Sequence, residues 1–358
     1  MNWKDFYKGK KVLVTGHTGF KGSWMLFCLN KLKAETKGYA LAPETSGSLY
    51  NLLQADSVCS SVIADIRDKE KLKKVILDFQ PDLIFHLAAQ SLVNKSFNIP
   101  SDTFDINVMG TVNLLESLRR LNKKCAVVVV TTDKVYENKE TNYFYSESDK
   151  LGGFDPYSSS KACAEIVTNS YRSSFFNVSN IELHKKAIAT ARAGNVIGGG
   201  DWAENRILPD AVKALQNDLP IEIRNPRSIR PWQHVLEPVG AYLQLGCYLY
   251  NEPQKFCSAY NFGPLESDHK TVEEIVKEVV KNWGHGKYAS ANVTNKNHEA
   301  GLLQLNISKA QHELKWQPKY NMGEAVKKTI EWYKAPENDK VEITMKQIDE
   351  FFSLSETE

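Results

Sequence analysis

No CxxC pair occurs among the six cysteines (Cys28, Cys59, Cys125, Cys163, Cys247 and Cys257), which lie scattered through the 358 residues. That spacing offers neither a disulfide framework nor a metal knuckle, and a reduced, cytoplasmic protein is expected. No segment approaches the ~18 consecutive apolar residues of a membrane span. No apolar stretch precedes Val12, so no signal peptide is expected. Formal net charge is only +2, which gives no basic field for nucleic acid and no acidic tail. Internal repeats and low-complexity linkers are missing too. What remains is an ordinary globular composition, 42% hydrophobic and 25% charged, long enough for one large domain or two modest ones.

Short apolar runs alternate with helical patterns through the first half. Strands are expected at Lys11 to Thr15, in KGYAL, in SSVIAD, in PDLIFHLAA and in CAVVVVTT. Between them, helices are expected over Phe20 to Lys33, Lys69 to Phe79 and Thr103 to Leu121. This βαβα rhythm predicts an α/β fold, a doubly wound parallel Rossmann sheet with a smaller mixed α/β substrate lobe. After residue 194 the texture changes to glycine, proline and arginine, as in GNVIGGGDW and IRNPRSIRPWQHV. The predicted division is 1–194 for the dinucleotide-binding domain, with later segments returning to it, 195–335 mainly for the substrate lobe, and 336–358 for a C-terminal helix and tail. One helix in the second half is explicit. Thr271 and Glu274 form a capping-box pattern and Gly284 marks the stop. The polar stretch GHGKYASANVTNKNHEAG follows it.

VLVTGHTGFKGSW places Gly16, Gly19 and Gly22 between a strand and a helix. Gly16 suits a tight turn, Gly19 the approach of a pyrophosphate, and Gly22 close helix–strand packing. The helix N-terminus would then face the phosphates. The second strand carries no acidic residue for a ribose hydroxyl before Glu44, and no arginine for a 2′-phosphate, so NAD and NADP both stay open. Asp65 is placed either to reach the adenine end or to cap the helix that follows.

In GGFDPYSSSKACAEIV, Asp155 is a plausible N-cap, Pro156 fits the first helical position, and a helix is expected from Tyr157 to about Phe176. Tyr157 and Lys161 then share one face, a turn apart. A phenol with a pKa of about 10 is a poor base. A neighbouring ammonium and a positive nicotinamide ring would both lower it, which lets a tyrosine take a proton from an alcohol as hydride leaves carbon.

With these residues in view, the chain resembles the extended short-chain dehydrogenase/reductases that modify nucleotide sugars. TGHTGFKGS, FHLAAQSLVNKS, DINVMGTVNLLES, YSSSKACAE, RAGNVIGGGDW, RPWQHVLEP and LQLNISKAQHELKWQP occur in family order and cover nearly the whole chain. Within that group, TTDKVYEN, GNVIGGGDWAENRILPD and RPWQHVLEP are most similar to the CDP-glucose 4,6-dehydratases. The resemblance implies an NAD cofactor, NADP not excluded. It places that cofactor against Gly16, His17, Gly19, Phe20, Gly22, Asp65, Ile66, Leu87, Ala88, Ala89, Gln90, Asn107, Tyr157 and Lys161, with His86 nearby.

A dehydratase must protonate a leaving hydroxyl and remove a carbon-bound proton, so adjacent acid and base groups at a strand end suit it. By resemblance, Tyr157 with Lys161 deprotonates the sugar 4-hydroxyl, Thr132 holds that oxygen, Lys134 removes the C5 proton and Asp133 protonates the departing C6 hydroxyl. The product is a 4-keto-6-deoxy sugar nucleotide and water. Related dTDP-glucose dehydratases carry Glu at the position of Lys134. A lysine base there needs a lowered pKa, and stabilising an enolate is the alternative role.

By resemblance, Arg206 and Arg230 should clamp the substrate diphosphate, and guanidinium suits bidentate phosphate contact. Asn195 is the expected substrate contact, ahead of Arg192, at the lobe junction. Trp202 and Trp232 are open between stacking on a base and core packing. Arg224 and Arg227 are expected in solvent, and His234 is expected to pack. No histidine sits at a metal-ligand spacing, so no metal is expected. Family analogy implies a homodimer through the Thr103–Leu121 and Tyr157–Phe176 helices, no nucleic-acid or membrane partner, and a place in bacterial surface-polysaccharide (O-antigen) synthesis. The rival readings are a dehydratase or 4-epimerase for another nucleotide sugar, and a catalytically dead NAD(P)-sensing regulator. Asp133 and Lys134 argue against an epimerase, and the intact Thr132, Tyr157 and Lys161 set argues against a dead enzyme.

Overall fold

A computed structural model of the chain describes residues 2–43, 47–290 and 301–354. Seven strands form one parallel sheet: β1 (Lys11–Thr15), β2 (Glu35–Ala40), β3 (Ser60–Ile63), β4 (Leu83–His86), β5 (Cys125–Val130), β6 (Lys186–Ala193) and β7 (Ala259–Phe262). Their order across the sheet is β7-β6-β5-β4-β1-β2-β3, and every neighbouring pair is parallel. The order reverses between β1 and β4. In open α/β sheets such a switch point leaves a crevice at the strands' carboxyl ends. The α/β Rossmann reading of the sequence is therefore correct.

The valine run explains itself in this frame. Val127 and Val129 enter one core with Leu72, Ile76, Leu114 and Leu115. Val128 and Val130 enter the other with Trp24, Met25 and Leu243. Side chains alternate across a strand, so a strand covered on both faces needs apolar residues at every position. The helices that supply those covers are α1 (Phe20–Lys31), α2 (Lys69–Phe79), α3 (Gly110–Leu118), α4 (Pro156–Ser174) and, further on, α5 (Leu236–Asn251).

Several boundaries differ from the sequence expectation. The first helix stops at Lys31, and Lys33 adopts a positive φ of 60°. The helix expected from Thr103 begins at Pro100 and passes through a π-helical turn, Asp105–Met109, before α3. Asp68, not Asp65, caps α2 by accepting from the Lys71 amide.

After β6 the chain makes short two- and three-residue ladders. Val196–Ile197 pairs with Gln233–His234, Ile229–Arg230 with Lys270–Thr271, and Ile221–Ile223 with Tyr288–Ser290. The capping box on Thr271 and Glu274 is present, and Gly284 ends that helix at φ 101°. The C-terminal helix runs over Lys340–Ser353. Glu44, most of the polar stretch before Gly301 and the last four residues lie outside the described residues.

Candidate active site

A cavity of about 1580 Å³ opens at the carboxyl ends of β1, β4, β5 and β6. Its floor at β1 is the glycine loop. Gly16 has φ +75°, and a Cβ there would stand 2.7 Å from the Ala88 amide nitrogen. A Cβ on Gly22 would stand 2.2 Å from the Gly16 carbonyl oxygen. These two positions are therefore closed to side chains by the protein itself. Gly19 is less constrained, with its nearest neighbour at 3.4 Å. It is the N-cap of α1, and no side chain caps that helix end, so the free N–H groups face the cavity as a phosphate would require. This cradle fits a dinucleotide.

Phe20, Asp65, Ile66, Leu87, Ala88, Ala89 and Gln90 line the same cavity. His17 and Asn107 do not. The His17 ring is buried, bonds Ser61 Oγ at 2.7 Å through Nε2, and is held neutral, with its pKa lowered to about 4 by burial. Asn107 donates from Nδ2 to Ser160 Oγ (2.8 Å) and to the Gln90 carbonyl (3.0 Å), and accepts from the Gln90 amide (2.9 Å). It fixes the cavity wall to α4 from behind. His86 is likewise buried and neutral, between Thr15 and Thr111. Asp65 is gripped by Arg67, which also reaches Asp102 and Asp105.

α4 starts as its sequence demands. Asp155 accepts from the Ser158 amide at 2.9 Å and Pro156 fills the first turn. Tyr157 and Lys161 then face the cavity beside Thr132 and Lys134 at the end of β5. Lys161 Nζ donates to the Val130 carbonyl at 2.8 Å. Burial lowers its pKa to about 8, opposed by the Glu165 carboxylate. Burial also pushes the Tyr157 phenol up to about 12, opposed by a hydrogen bond with Thr132. The phenol alone thus sits above its ordinary value, not below it as the neighbouring lysine suggests. Desolvation outweighs the Thr132 hydrogen bond and the nearby Arg206 charge, and Asp133 adds to it.

Asp133 is fully buried and does not line the cavity. Its Oδ1 accepts from Thr132 Oγ1 (2.9 Å) and Lys134 Nζ (3.3 Å), while Oδ2 has no partner. A carboxyl group, an amine and a hydroxyl are therefore locked together at the strand end, next to the phenol.

Asn195, Arg206 and Arg230 line the far wall. Arg206 is anchored to Asp201 at 2.8 Å. Arg230 Nη1 donates to the carbonyls of Ile229 and Gly301. Asn195 Oδ1 is buried without a partner. Trp202 and Trp232 both line the cavity, and so does the half-buried Arg224, whose solvent-exposed hydrogen bonds hold Asn205. Arg192 is absent from the wall because it is paired with Glu165 in the interior. His234 packs between Trp24 and Tyr320.

One cavity residue escaped the sequence reading. Lys21 projects from the second position of α1 into the cavity. Burial, then Arg206, then Lys161, lower its pKa to about 7, with Lys134 adding and Asp133 opposing. Its signal was a lysine inside the glycine motif, where an apolar residue would pack as well. Among the described residues no cluster of three His, Cys, Asp or Glu could hold a metal ion, and no helix is long and apolar enough to cross a membrane.

Comparison with known proteins agrees with this geometry. A family model described as GDP-mannose 4,6 dehydratase matches residues 13–329. The chain is 47% identical over 332 residues to a CDP-glucose 4,6-dehydratase of Salmonella typhimurium, covering 93% of this chain and 92% of that one. Among solved structures, a dTDP-glucose 4,6-dehydratase of Bacillus anthracis in complex with NAD superposes with a TM-score of 0.75 at 23% identity, covering 93% of this chain and 98% of the other. A UDP-glucose 4-epimerase of Thermotoga maritima with UDP-glucose gives 0.76 at 21%, covering 90% and 98%. With the family model matched over residues 13–329 and nearly half its residues shared with a 4,6-dehydratase over most of both chains, this chain belongs to the GDP-mannose 4,6 dehydratase family.

Proposed function

We propose that the chain is a CDP-glucose 4,6-dehydratase, a hydro-lyase that converts CDP-D-glucose to CDP-4-keto-6-deoxy-D-glucose and water. The observation that carries this reading is the Thr132–Asp133–Lys134 cluster beside Tyr157, together with 47% identity to a dehydratase of that name. An epimerase needs no acid–base pair beside its tyrosine.

The glycine loop and the open N-terminus of α1 would hold NAD, which when bound would supply a reversible hydride acceptor for C4 and C6. Tyr157 takes the proton of the 4-hydroxyl, with Lys161 supplying positive charge below it. Thr132 holds the same oxygen. The ketone so formed acidifies the C5 proton, which Lys134 removes. Asp133 gives a proton to the departing C6 hydroxyl once the substrate draws Lys134 away from Oδ1. Its unpartnered Oδ2 is the free position of that carboxyl group. The C6 hydroxyl leaves as water with the Asp133 proton, Lys134 returns its proton to C5 as hydride reaches C6, and the 4-hydroxyl proton taken by Tyr157 restores Asp133, so one water is lost with no net oxidation.

Arg206 and Arg230 bind the diphosphate in this reading, and Asn195 with its free carbonyl oxygen binds the sugar. The choice of NAD over NADP is supported by the wall after β2, where the described residues Leu41, Ala42, Pro43 and Ser48 bring no cation for a 2′-phosphate. Residues 1–194 with β7 and α5 form the cofactor domain, and 195–335 mainly form the sugar-nucleotide lobe. Phe104, Met109 and Ile166 stand exposed on the helix pair expected to dimerise, which supports a homodimer through that face. The enzyme acts in the cytoplasm, in O-antigen synthesis.

Offering CDP-, dTDP-, UDP- and GDP-glucose separately with NAD tests the substrate. Loss of one water from CDP-glucose alone, without accumulation of reduced cofactor, is the expected result. Turnover confined to another nucleotide sugar overturns the cytidine assignment.

A further inference from the structure

A single interior ion pair touches every segment that carries a proposed reacting group. Glu165 lies on α4, one turn beyond Lys161 and two beyond Tyr157. Arg192 lies near the end of β6. The two meet in a bidentate pair, with Arg192 Nε to Glu165 Oε1 at 3.0 Å and Nη2 to Oε2 at 3.0 Å. Both side chains are only 4% exposed, and neither lines the cavity.

The remaining hydrogen bonds of the pair are specific in their targets. Glu165 Oε1 accepts from Thr131 Oγ1 at 2.5 Å, and Oε2 from Thr190 Oγ1 at 2.7 Å. Arg192 Nη1 donates to Tyr136 Oη at 2.8 Å and to the Glu147 carbonyl at 3.2 Å. Tyr136 Oη in turn donates to Asn261 Oδ1 on β7 at 2.6 Å. Thr131 immediately precedes the Thr132–Lys134 cluster and Tyr136 closely follows it. The acid half of the pair thus grips one end of that turn and the basic half grips the other. The carboxylate itself rides on the helix of Tyr157 and Lys161.

Stability alone is a weak reason for such an arrangement. Burying two charges costs several kcal/mol of hydration, and an apolar replacement of like volume is often as stable. A rigid guanidinium fork, by contrast, fixes geometry in a way that no apolar contact does. Groups that must act on one sugar ring need placement to a fraction of an ångström.

We propose that Glu165 and Arg192 are positioning residues for the reaction, holding the Tyr157–Lys161 helix in register with both ends of the Thr132–Lys134 turn. Glu165 and Arg192 touch neither sugar nor cofactor and act only through those groups. The proposal rests on the dehydratase reading above.

The test compares wild type, Arg192→Lys and Thr190→Val, with CDP-glucose or whichever nucleotide sugar the wild type dehydrates. Arg192→Lys keeps the charge but loses the fork. Its kcat should fall about 10- to 100-fold, while reduced-cofactor binding, read by fluorescence, stays within about twofold of wild type. Reduced nicotinamide should become visible during turnover, because oxidation on the helix and elimination on the turn fall out of step. Thr190→Val removes one hydrogen bond distant from the turn. It should lower kcat about threefold with the same spectral sign, and it decides the matter if Arg192→Lys does not fold. Wild-type kcat in a folded Arg192→Lys overturns the proposal. So does a parallel loss of cofactor binding in either variant, which marks a merely structural pair. When Arg192→Lys does not fold, wild-type kcat in Thr190→Val overturns it. A wild type that dehydrates other nucleotide sugars but not CDP-glucose sinks the substrate assignment and leaves this comparison intact. A wild type that dehydrates none overturns both.

Discussion

Lys161 Nζ donates to the carbonyl oxygen of Val130 at 2.8 Å, which ties the helix of Tyr157 to the last residue of the buried strand. The four-valine run therefore does two jobs. It fills two cores, and it delivers Thr132, Asp133 and Lys134 to the place where that helix begins.

The first consequence concerns Asp133. Asp133→Asn keeps an oxygen for Thr132 and Lys134 but has no proton to give at neutral pH. C4 oxidation should persist while dehydration falls by about 100-fold or more. Reduced nicotinamide should build up, visible by its near-ultraviolet absorbance. Dehydration at the wild-type rate in the Asp133→Asn variant contradicts the acid role.

Gly22 is the second. An added methyl group would press on the Gly16 carbonyl from 2.2 Å, and both groups belong to fixed backbone. Gly22→Ala should cost about 1–3 kcal/mol of stability and weaken cofactor retention together. Thermal melts with and without NAD check this, since bound NAD should protect the variant less than wild type.

Arg206 is paired to Asp201 at the cavity wall. Arg206→Met should raise KM for the nucleotide sugar about tenfold or more and leave cofactor binding unchanged. Titrating the variant with NADH and with CDP separately distinguishes the two.

Glu237 gives a pH prediction remote from the chemistry. Its Oε1 accepts from the amides of Lys319 and Tyr320, and burial raises its carboxyl to about 8. In the unfolded chain that group titrates near ~4.3. Between those values the folded state holds a proton that the unfolded state has released, so stability falls as pH rises through that window. Glu237→Gln keeps the amide contacts and removes the titration. It should gain on the order of 2 kcal/mol at pH 8 relative to wild type and little at pH 4. Equal gains at both values contradict the assignment.

Much of this was legible in the residues. The strands of the first half, α2 and the capping box at Thr271 follow from period, propensity and caps. Asp133 and Lys134 stood out because charge at the end of a fully apolar strand has no packing reason. What escaped depends on tertiary partners. The π-helical turn at Asp105–Met109 accompanies Asn107, which is held to Gln90 and Ser160, residues distant in sequence. The two-residue ladders after β6 are too short to show a period. Arg192 reads like its neighbour Asn195 until the chain folds and Glu165 meets it. Lys21 was hidden inside a motif whose glycines drew the attention.

The most direct measurement follows one atom. CDP-glucose carrying deuterium at C4 is converted with unlabelled NAD, and the product is examined by NMR and mass. The account predicts a 4-keto-6-deoxy product one water lighter, with deuterium at C6 and no reduced cofactor left behind. An unchanged mass with deuterium still at an inverted C4 would contradict it.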